Sequence, residues 1–126
     1  MMKKVIFTDK CNTPGGHYSQ GIVHNDVLYT SGIVPVVPGT KDVVDSSIED
    51  ATRRTLDNLK AVAEAAGTSL ENTLKVTVFL PDMSLFQRFN AVYKEYFPVD
   101  PPARSTVGAQ LMRTIIEIEA VIAIPQ

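Results

Sequence analysis

The spacing of hydrophobic residues divides the chain into strand-like and helix-like segments. Residues 21–32 are rich in β-forming residues on both sides of the turn formers Asn25 and Asp26, which predicts a β-hairpin. Similar runs of β-branched and aromatic residues predict further single strands, at residues 3–8, 73–80, 103–110 and 114–124. A short turn near Met112 and Arg113 is expected to join the last two strands.

Two other segments follow the three- and four-residue spacing of amphipathic helices. Ser46 and Glu49 form the capping-box pattern that begins the first helix, and Gly67 ends it. Asp82 or Ser84 is expected to cap the second helix. The aromatic residues on the broad apolar face of this second helix are Phe86, Phe89, Tyr93 and Phe97.

The resulting order, β-β-β-α-β-α-β-β, predicts an α+β fold with two helices packed on one face of a mixed sheet. A chain of 126 residues without an internal repeat or linker is expected to form one domain, residues 1–126. Area scaling allows a chain of this length to bury a hydrophobic core without disulfide or metal staples.

The last predicted strand is apolar on both of its faces. One face carries Ile116, Ile118, Ala120, Ile122 and Ile124, and the other carries Ile115, Val121 and Ala123 together with Glu117 and Glu119. Two helices can cover only one face of the sheet, and monomers seldom expose a large apolar patch. The pattern therefore predicts a homo-oligomer, unless the outer apolar residues are simply tolerated in contact with water.

Composition narrows the possible partners and location. The net charge of −2 and the pI of about 5.6 argue against nucleic-acid binding, which needs a basic surface. No apolar run reaches the ~20 residues of a membrane-spanning helix, so no membrane partner is expected. Cys11 is the only cysteine and the N-terminus has no signal-like apolar run, so the chain is expected to be cytoplasmic.

Arg104 stands at the head of the run ARSTVGAQ, which otherwise has the pattern of a buried strand. A buried cation is costly unless an anion meets it, and that anion can come from the protein or from a ligand. The rigid approach through Pro101 and Pro102 and the apolar neighbours Ala103 and Val107 favour burial. A planar guanidinium suits a bidentate grip on a substrate carboxylate, and pairing with a surface carboxylate is the alternative.

Glu117 and Glu119 are two positions apart, so they share one face of the last predicted strand. Two carboxylates within the apolar run IIEIEAVIAI are unusual, and a structural or functional role would explain them. One is expected to neutralise a cation, and the other to act as a general acid or base whose pKa is raised by apolar neighbours. A solvated strand edge is the alternative explanation for one of them.

Four weaker candidates complete the set. Tyr18 follows a double glycine, and Ser31 with Gly32 ends a hairpin arm where a hydroxyl and a backbone N–H could meet an anion. Asn90 lies within the second helix, where asparagine is a poor helix former. By pattern alone, packing is the usual explanation for Tyr18, and solvent exposure is the better explanation for Asn90. The histidines and Cys11 lack the spacing of a metal site, so no metal is expected.

Taken together, several segments resemble the Rid proteins, and more narrowly their RidA branch, the reactive-intermediate imine deaminases. The segments are GHYSQG, YTSGIVP, TLDNLKAVAEAAG, LKVTVFLPDM, FNAVYKEYF, PPARSTVG and IEIEAVIA. The match covers nearly the whole chain in order, and PPARST and EIEA are its most specific parts.

The resemblance implies a chorismate-mutase-like fold, a homotrimer, and active sites in the clefts between subunits. It also implies the hydrolysis of 2-imino acids, such as 2-iminobutanoate and 2-iminopropanoate, to 2-keto acids and ammonia. These imines arise when pyridoxal-phosphate enzymes dehydrate threonine or serine. The resemblance implies that the Rid protein itself needs neither a metal nor a cofactor.

By position, the resemblance makes Arg104 the carboxylate-binding group, Glu119 the water-positioning group and Tyr18 a catalytic-site tyrosine. The substrate-binding positions that it implies are Arg104, Thr106, Ser31, Gly32, Asn90 and Phe86. Departures from the usual residues, which bear on substrate preference more than on reaction type, are His17, Ile33, Thr106 and Met112. A non-catalytic binder of small keto acids and an interaction protein are the alternatives.

Overall fold

The computed structural model describes residues 2–126, and its elements follow the predicted order. The strands are β1 (Lys4–Ile6), β2 (Gly21–His24), β3 (Val27–Thr30), β4 (Thr73–Leu80), β5 (Ala103–Gly108) and β6 (Glu117–Ala123). Helix α1 (Ile48–Ala65) lies between β3 and β4, and helix α2 (Phe86–Tyr96) lies between β4 and β5. None of the helices between residues 2 and 126 is long and apolar enough to cross a membrane.

The strands form one mixed sheet in the order β1-β2-β3-β6-β4-β5. Strands β4 and β5 run parallel because α2 crosses the sheet between them, and all other neighbours are antiparallel. The expectation that a short turn joins the last two strands is wrong, because β4 lies between β5 and β6. Residues 109–116 instead pass the end of β4, where Ala109 N donates to Leu80 O at 3.1 Å.

Helix α1 begins one residue later than the capping pattern predicts. Ser47 has an extended backbone, and its side chain accepts a hydrogen bond from Asp50 N at 3.0 Å. Ser46 and Glu49 do not form the predicted capping box, since Ser46 Oγ donates to Asp50 Oδ2 at 3.1 Å instead. Gly67 ends α1 as predicted, with a φ of +85° that other residues rarely adopt.

Both helices pack on the same face of the sheet, as predicted, and the hydrophobic core lies between these two layers. The buried strand residues on that face include Val76, Val78, Leu80, Ile118, Ala120 and Ile122. The helices add Leu56, Leu59, Val62, Phe89 and Tyr93 to the same cluster. The alternation predicted for the last strand is therefore confirmed.

The opposite face of the sheet, here called the open face, is uncovered in the single chain. Strand pairing puts an apolar residue from each of the six strands on it: Val5, Ile22, Tyr29, Phe79, Val107 and Val121. Tyr29 is 48% exposed and Val107 is 40% exposed. The second apolar face that predicts an oligomer is therefore present, and the homotrimer itself stays a prediction.

Candidate active site

The predicted site residues form two clusters on different sides of the sheet. The arginine cluster lies beside α2 and consists of the predicted residues Phe86, Asn90, Arg104 and Thr106 together with Tyr93, which was not predicted. The glutamate cluster lies near the ends of β3 and β6 and consists of Tyr18, Ser31, Gly32, Glu117 and Glu119. The clusters lie on different sides because successive side chains of a strand point to opposite faces of the sheet. Arg104 pairs with buried Val76, whereas Glu119 pairs with Thr77 on the open face.

Arg104 is oriented by one hydrogen bond and by the aromatic rings of α2. Its Nη1 donates to Asn90 Oδ1 at 2.8 Å. The guanidinium carbon lies 4.6 Å from the ring centroid of Tyr93, and 5.5 and 5.8 Å from those of Phe86 and Phe89. Cation–π attraction at such distances is worth about 0.5–2 kcal/mol. Arg104 is half-buried, and the fold orients its planar fork.

No carboxylate within residues 2–126 neutralises Arg104. The ion pairs of this part of the chain join Arg53 to Glu95 and Arg88 to Glu49. The surface-carboxylate pairing that the sequence leaves open is therefore not found there. A half-buried guanidinium with unused N–H donors favours an anionic ligand, and a carboxylate matches its fork geometry.

A groove of about 480 Å³ opens beside the guanidinium, between α2 and the segment that leads into β5. Its walls are formed by Asn90, Tyr93, Lys94, Phe97, Pro98, Pro101, Pro102 and Arg104. Two of the predicted substrate-binding residues, Asn90 and Arg104, line this groove. Phe86 lies under the guanidinium, and Thr106 follows on the same face of β5.

Two hydroxyl groups of the arginine cluster are buried without a hydrogen-bond partner. They are Tyr93 Oη and Thr106 Oγ1. Leaving such a group unpaired costs about 1–3 kcal/mol, so each instance calls for an explanation. Burial raises the pKa of the Tyr93 phenol, and the charge of Arg104 opposes that rise. Tyr93 is therefore a neutral hydrogen-bond donor at neutral pH.

In the glutamate cluster, Glu117 packs directly on Gly32. A Cβ atom added at Gly32 would overlap the Glu117 carboxylate, so another residue fits only if that carboxylate moves. Ile33 secures this stretch, because its N–H donates to Ile118 O at 2.7 Å and its C=O accepts from Ile118 N at 2.9 Å. The absence of a side chain at Gly32 therefore gives the Glu117 carboxylate its place against the backbone.

The pKa and the ion pairing of Glu117 and Glu119 differ from what the sequence predicts. Burial raises the pKa of Glu117, and the negative charge of Glu119 raises it further. Neither glutamate forms an ion pair within residues 2–126, so the expected cation partner is not found in the single chain. Lys75, the lysine on the open face of β4, donates to Ser105 Oγ at 3.4 Å instead. The glutamate whose pKa is raised is Glu117, and the acid–base role of either glutamate stays a prediction.

Tyr18 and Ser31 border a small depression together with Gly32. Both donors of Ser31 are engaged within the chain, since its N–H and Oγ donate to Gln20 O at 2.9 and 3.3 Å. An anion at Ser31 would therefore have to compete with this carbonyl. The hydroxyl of Tyr18 accepts from Gly15 N at 3.2 Å, which leaves its own proton free to donate.

The two clusters cannot meet on one small molecule within a single chain. Glu119 pairs with Thr77, which in turn pairs with Ser105, the residue after Arg104. Two strand spacings, about 10 Å, separate β6 from β5. The side chains of Glu119 and Arg104 also leave the sheet in opposite directions. A site that uses both side chains needs a second copy of the chain.

The described residues contain no ready metal site or reactive thiol. Residues 2–126 hold no group of three His, Cys, Asp or Glu side chains that could bind a metal ion. Cys11 is buried, and burial raises the pKa of its thiol to about 11. The thiol therefore stays protonated, and thus weakly nucleophilic, at neutral pH.

Sequence reasoning missed three parts of this arrangement. It places Tyr93 on the apolar face of the second helix, with no sign that the ring also underlies Arg104. The contact between Gly32 and Glu117 joins distant segments and has no local signal. Lys94 was missed as well, although its position one helical turn after Asn90 was a usable signal once Asn90 had been singled out.

Comparison with known proteins identifies relatives of the whole chain. A family profile described as "Endoribonuclease L-PSP" matches residues 10–124. A RutC family protein of Saccharolobus solfataricus is 48% identical over 118 residues, which is 94% of each chain. A chloroplastic Reactive Intermediate Deaminase A of Arabidopsis thaliana is 36% identical over 121 residues, which is 94% of this chain and 65% of that protein.

The fold is also shared with solved structures. The crystal structure of Escherichia coli TdcF with bound serine is similar with a TM-score of 0.90 and 34% identity, covering 95% of this chain and 98% of TdcF. Sequence motifs, family profile and fold agree. The chain belongs to the Rid family, whose profile carries the endoribonuclease L-PSP description.

Proposed function

We propose that the chain hydrolyses reactive 2-imino acids, such as 2-iminobutanoate and 2-iminopropanoate, to 2-keto acids and ammonia. The observation that carries the proposal is Arg104, a half-buried guanidinium that Asn90 and Tyr93 orient and that no acid within residues 2–126 neutralises. Every 2-imino acid brings a carboxylate that suits this fork. A relative named as a reactive intermediate deaminase supports the reaction type.

The reaction adds water to the carbon of the C=N bond, which gives a carbinolamine. The carbinolamine then expels ammonia and leaves the C=O group of the keto acid. In the proposed mechanism Glu119 holds the attacking water, takes up its proton and returns a proton to the leaving nitrogen. Acid–base catalysis of this kind contributes typically about 10²–10⁴-fold in rate. Tyr18, whose hydroxyl proton is free, is proposed to assist by donating a hydrogen bond.

The proposed active site is shared between subunits of a homotrimer. One chain supplies the arginine cluster and its neighbour supplies the glutamate cluster. The opposite orientations of Arg104 and Glu119 support this arrangement, because they keep the two groups apart in a single chain. The uncovered apolar open face supports it as well, since association would remove that face from water.

A non-catalytic binder of small keto acids is the second candidate. The observation in its favour is that the groove beside Arg104 is complete within one chain, whereas Glu119 lies on the other face of the sheet. Binding of a carboxylate needs only Arg104 and Asn90. Turnover needs both clusters, so the two candidates differ in what they require of Glu119.

A coupled assay separates the two candidates. A threonine dehydratase generates 2-iminobutanoate in place, and the release of 2-ketobutanoate is followed in the presence of an imine trap and a chelator. Purified protein should speed the release, and a matched preparation of Glu119→Gln should not. A rate equal to the control without protein, combined with keto-acid binding measured by calorimetry, would establish the binder.

The proposal favours a small molecule over RNA, although the family description names an endoribonuclease. The chain carries a net charge of −2, and binding to a phosphate backbone relies on a basic surface. Single-stranded RNA incubated with the purified protein should remain intact. Cleavage that co-elutes with the protein and is lost in Arg104→Ala would contradict the proposed function.

A further inference from the structure

The groove beside Arg104 is larger than a four-carbon imino acid requires. Its volume of about 480 Å³ lies within the range of about 300–1,000 Å³ that is usual for drug-sized ligands. From Arg104 and Asn90 its walls continue along α2 to Lys94 and Phe97. With the imino-acid head at Arg104, this extension is open to the substrate side chain in the single chain.

Lys94 brings a second positive charge to the groove. It follows Asn90 by four residues, so it lies on the same face of α2 and about 6 Å further along the helix axis. Asn90 accepts a hydrogen bond from Arg104, and Arg104 and Lys94 both line the groove beside α2. A groove with two positive side chains in its walls favours a ligand with two negative charges.

Within residues 2–126, no acidic side chain near the groove forms an ion pair with Arg104 or Lys94. Glu95, the neighbour of Lys94 in α2, pairs with Arg53 across the two helices at 3.4 Å. Asp100 lies between the groove-lining prolines but forms no ion pair with Lys94 or Arg104. The positive charges therefore remain available to a ligand.

Tyr93 lines the groove between Asn90 and Lys94, and its ring centroid lies 4.6 Å from the Arg104 guanidinium carbon. The ring therefore helps to hold the guanidinium in the groove wall.

We propose that the groove selects 2-imino acids that carry a second carboxylate. The C1 carboxylate binds Arg104, and the distal carboxylate binds Lys94. The reaction rests on the proposed function, whereas the binding preference does not, because the keto-acid product presents the same two carboxylates.

Calorimetric titration with 2-oxoglutarate and 2-oxobutanoate tests this inference. We expect the wild-type protein to bind 2-oxoglutarate about 2–5-fold more tightly, which is the range that one exposed ion pair contributes. Lys94→Met should abolish this preference, and Lys94→Glu should reverse it. Higher ionic strength should weaken the preference, since Lys94 is exposed. Lys41→Glu makes the same change of charge at an exposed residue outside the groove, and it should leave the preference unchanged.

The outcomes distinguish this inference from the proposed function. Equal affinity of the wild-type protein for the two keto acids, or an unchanged preference in Lys94→Glu, overturns the inference even if imines are hydrolysed. A preference that Lys94→Glu reverses supports the inference even if the coupled assay shows no turnover. Exposed Lys94 can be replaced without disturbing the core, and melting temperatures of the variants check this.

Discussion

At the scale of single residues, the contacts of Arg104 orient its guanidinium and leave it free to bind an anionic ligand. Asn90 accepts a hydrogen bond from one N–H group, and the face of Tyr93 stabilises the cation without neutralising it. The remaining donors are left for a ligand. Thr106 and Tyr93 add hydroxyls that have no partner in the free chain. The free donors of the half-buried Arg104 are thus the part of the cluster that faces the groove.

Replacing Arg104 by lysine keeps the charge but loses the planar fork and the stacking on Tyr93. Removing one member of a desolvated charge pair costs about 2–5 kcal/mol, or about 30- to several-thousand-fold. We therefore expect Arg104→Lys to recover little of the kcat/KM that Arg104→Ala loses. Arg113→Lys, at an exposed arginine outside both clusters, serves as the control. Near wild-type kcat/KM in Arg104→Lys would show that Arg104 acts only as a general positive charge.

Glu119→Gln keeps the size and hydrogen bonding of the side chain but cannot take up a proton. We expect the variant to fold, to assemble and to bind a keto-acid product, while kcat falls by about 10²–10⁴-fold. The measurements are kcat in the coupled assay and product binding by calorimetry. If Glu117→Gln abolished turnover in a folded oligomer while Glu119→Gln remained active, the assignment of the two glutamates would be reversed.

Glu117→Gln should change stability in a pH-dependent way. Burial and Glu119 raise the pKa of Glu117 in the folded chain. Such a group favours the folded state below its unfolded pKa of about 4.3, and this contribution is lost as pH rises through the folded pKa. We therefore expect Glu117→Gln to melt at a higher temperature than the wild type near neutral pH, with the difference shrinking toward about pH 4.

Thermal melts of both proteins across this pH range measure the effect. A lower melting temperature of Glu117→Gln near neutral pH would mean that the charged carboxylate has a cation partner in the assembled protein. The sequence pattern suggested such a partner, and residues 2–126 of the single chain do not supply one.

At the scale of elements, the contact between α1 and α2 sets the position of the arginine cluster. Arg88 donates two hydrogen bonds to the Glu49 carboxylate, at 2.8 and 2.9 Å. Tyr96 Oη donates to Asp57 Oδ1 at 2.8 Å further along the same pair of helices. These contacts help to fix how α2 lies over β5, and hence where its aromatic rings meet Arg104.

The pair of Arg88 and Glu49 predicts an acid-sensitive helix contact. Hydrogen bonds from Arg88 hold the pKa of Glu49 at about 2. A carboxyl with a depressed pKa stabilises the fold above its unfolded pKa of about 4.3, and this contribution is lost as pH falls toward the folded value. Between about pH 4.5 and pH 2 the melting temperature of the wild type should fall more than that of Glu49→Gln.

The effect should be small, because the pair lies at the surface. Arg88→Gln should behave like Glu49→Gln, since either change removes the same contact. Identical pH dependence in the wild type and in both variants would show that this ion pair contributes nothing measurable to stability.

At the scale of the whole molecule, the open face predicts assembly. Native mass spectrometry should report three times the chain mass of 13.8 kDa. Tyr29→Glu puts a charge in the open face and should dissociate the trimer without unfolding the chain, because Tyr29 is already exposed. Met112→Glu, at a fully exposed residue outside this face, is the control. A monodisperse monomer of the wild type at low micromolar concentration would exclude the shared site.

Local patterns were sufficient for most of the fold. The order of helices and strands, the stop at Gly67 and the two-faced last strand follow from residues that are close in the chain. The start of α1 was misplaced by one residue because Ser46 and Ser47 are equally good caps by type, and only the extended backbone at Ser47 selects between them. Errors of this kind remain small because they concern neighbouring residues.

Residue patterns along the chain were enough to predict the fold class, the family and the types of residue that form the site. The folded chain was needed to show that β4 separates β5 from β6, that Tyr93 underlies Arg104, and that Arg104 and Glu119 leave the sheet on opposite faces. These features depend on strand register. A shift of one residue turns every side chain of a strand to the other face, and register depends on pairing between segments far apart in the chain.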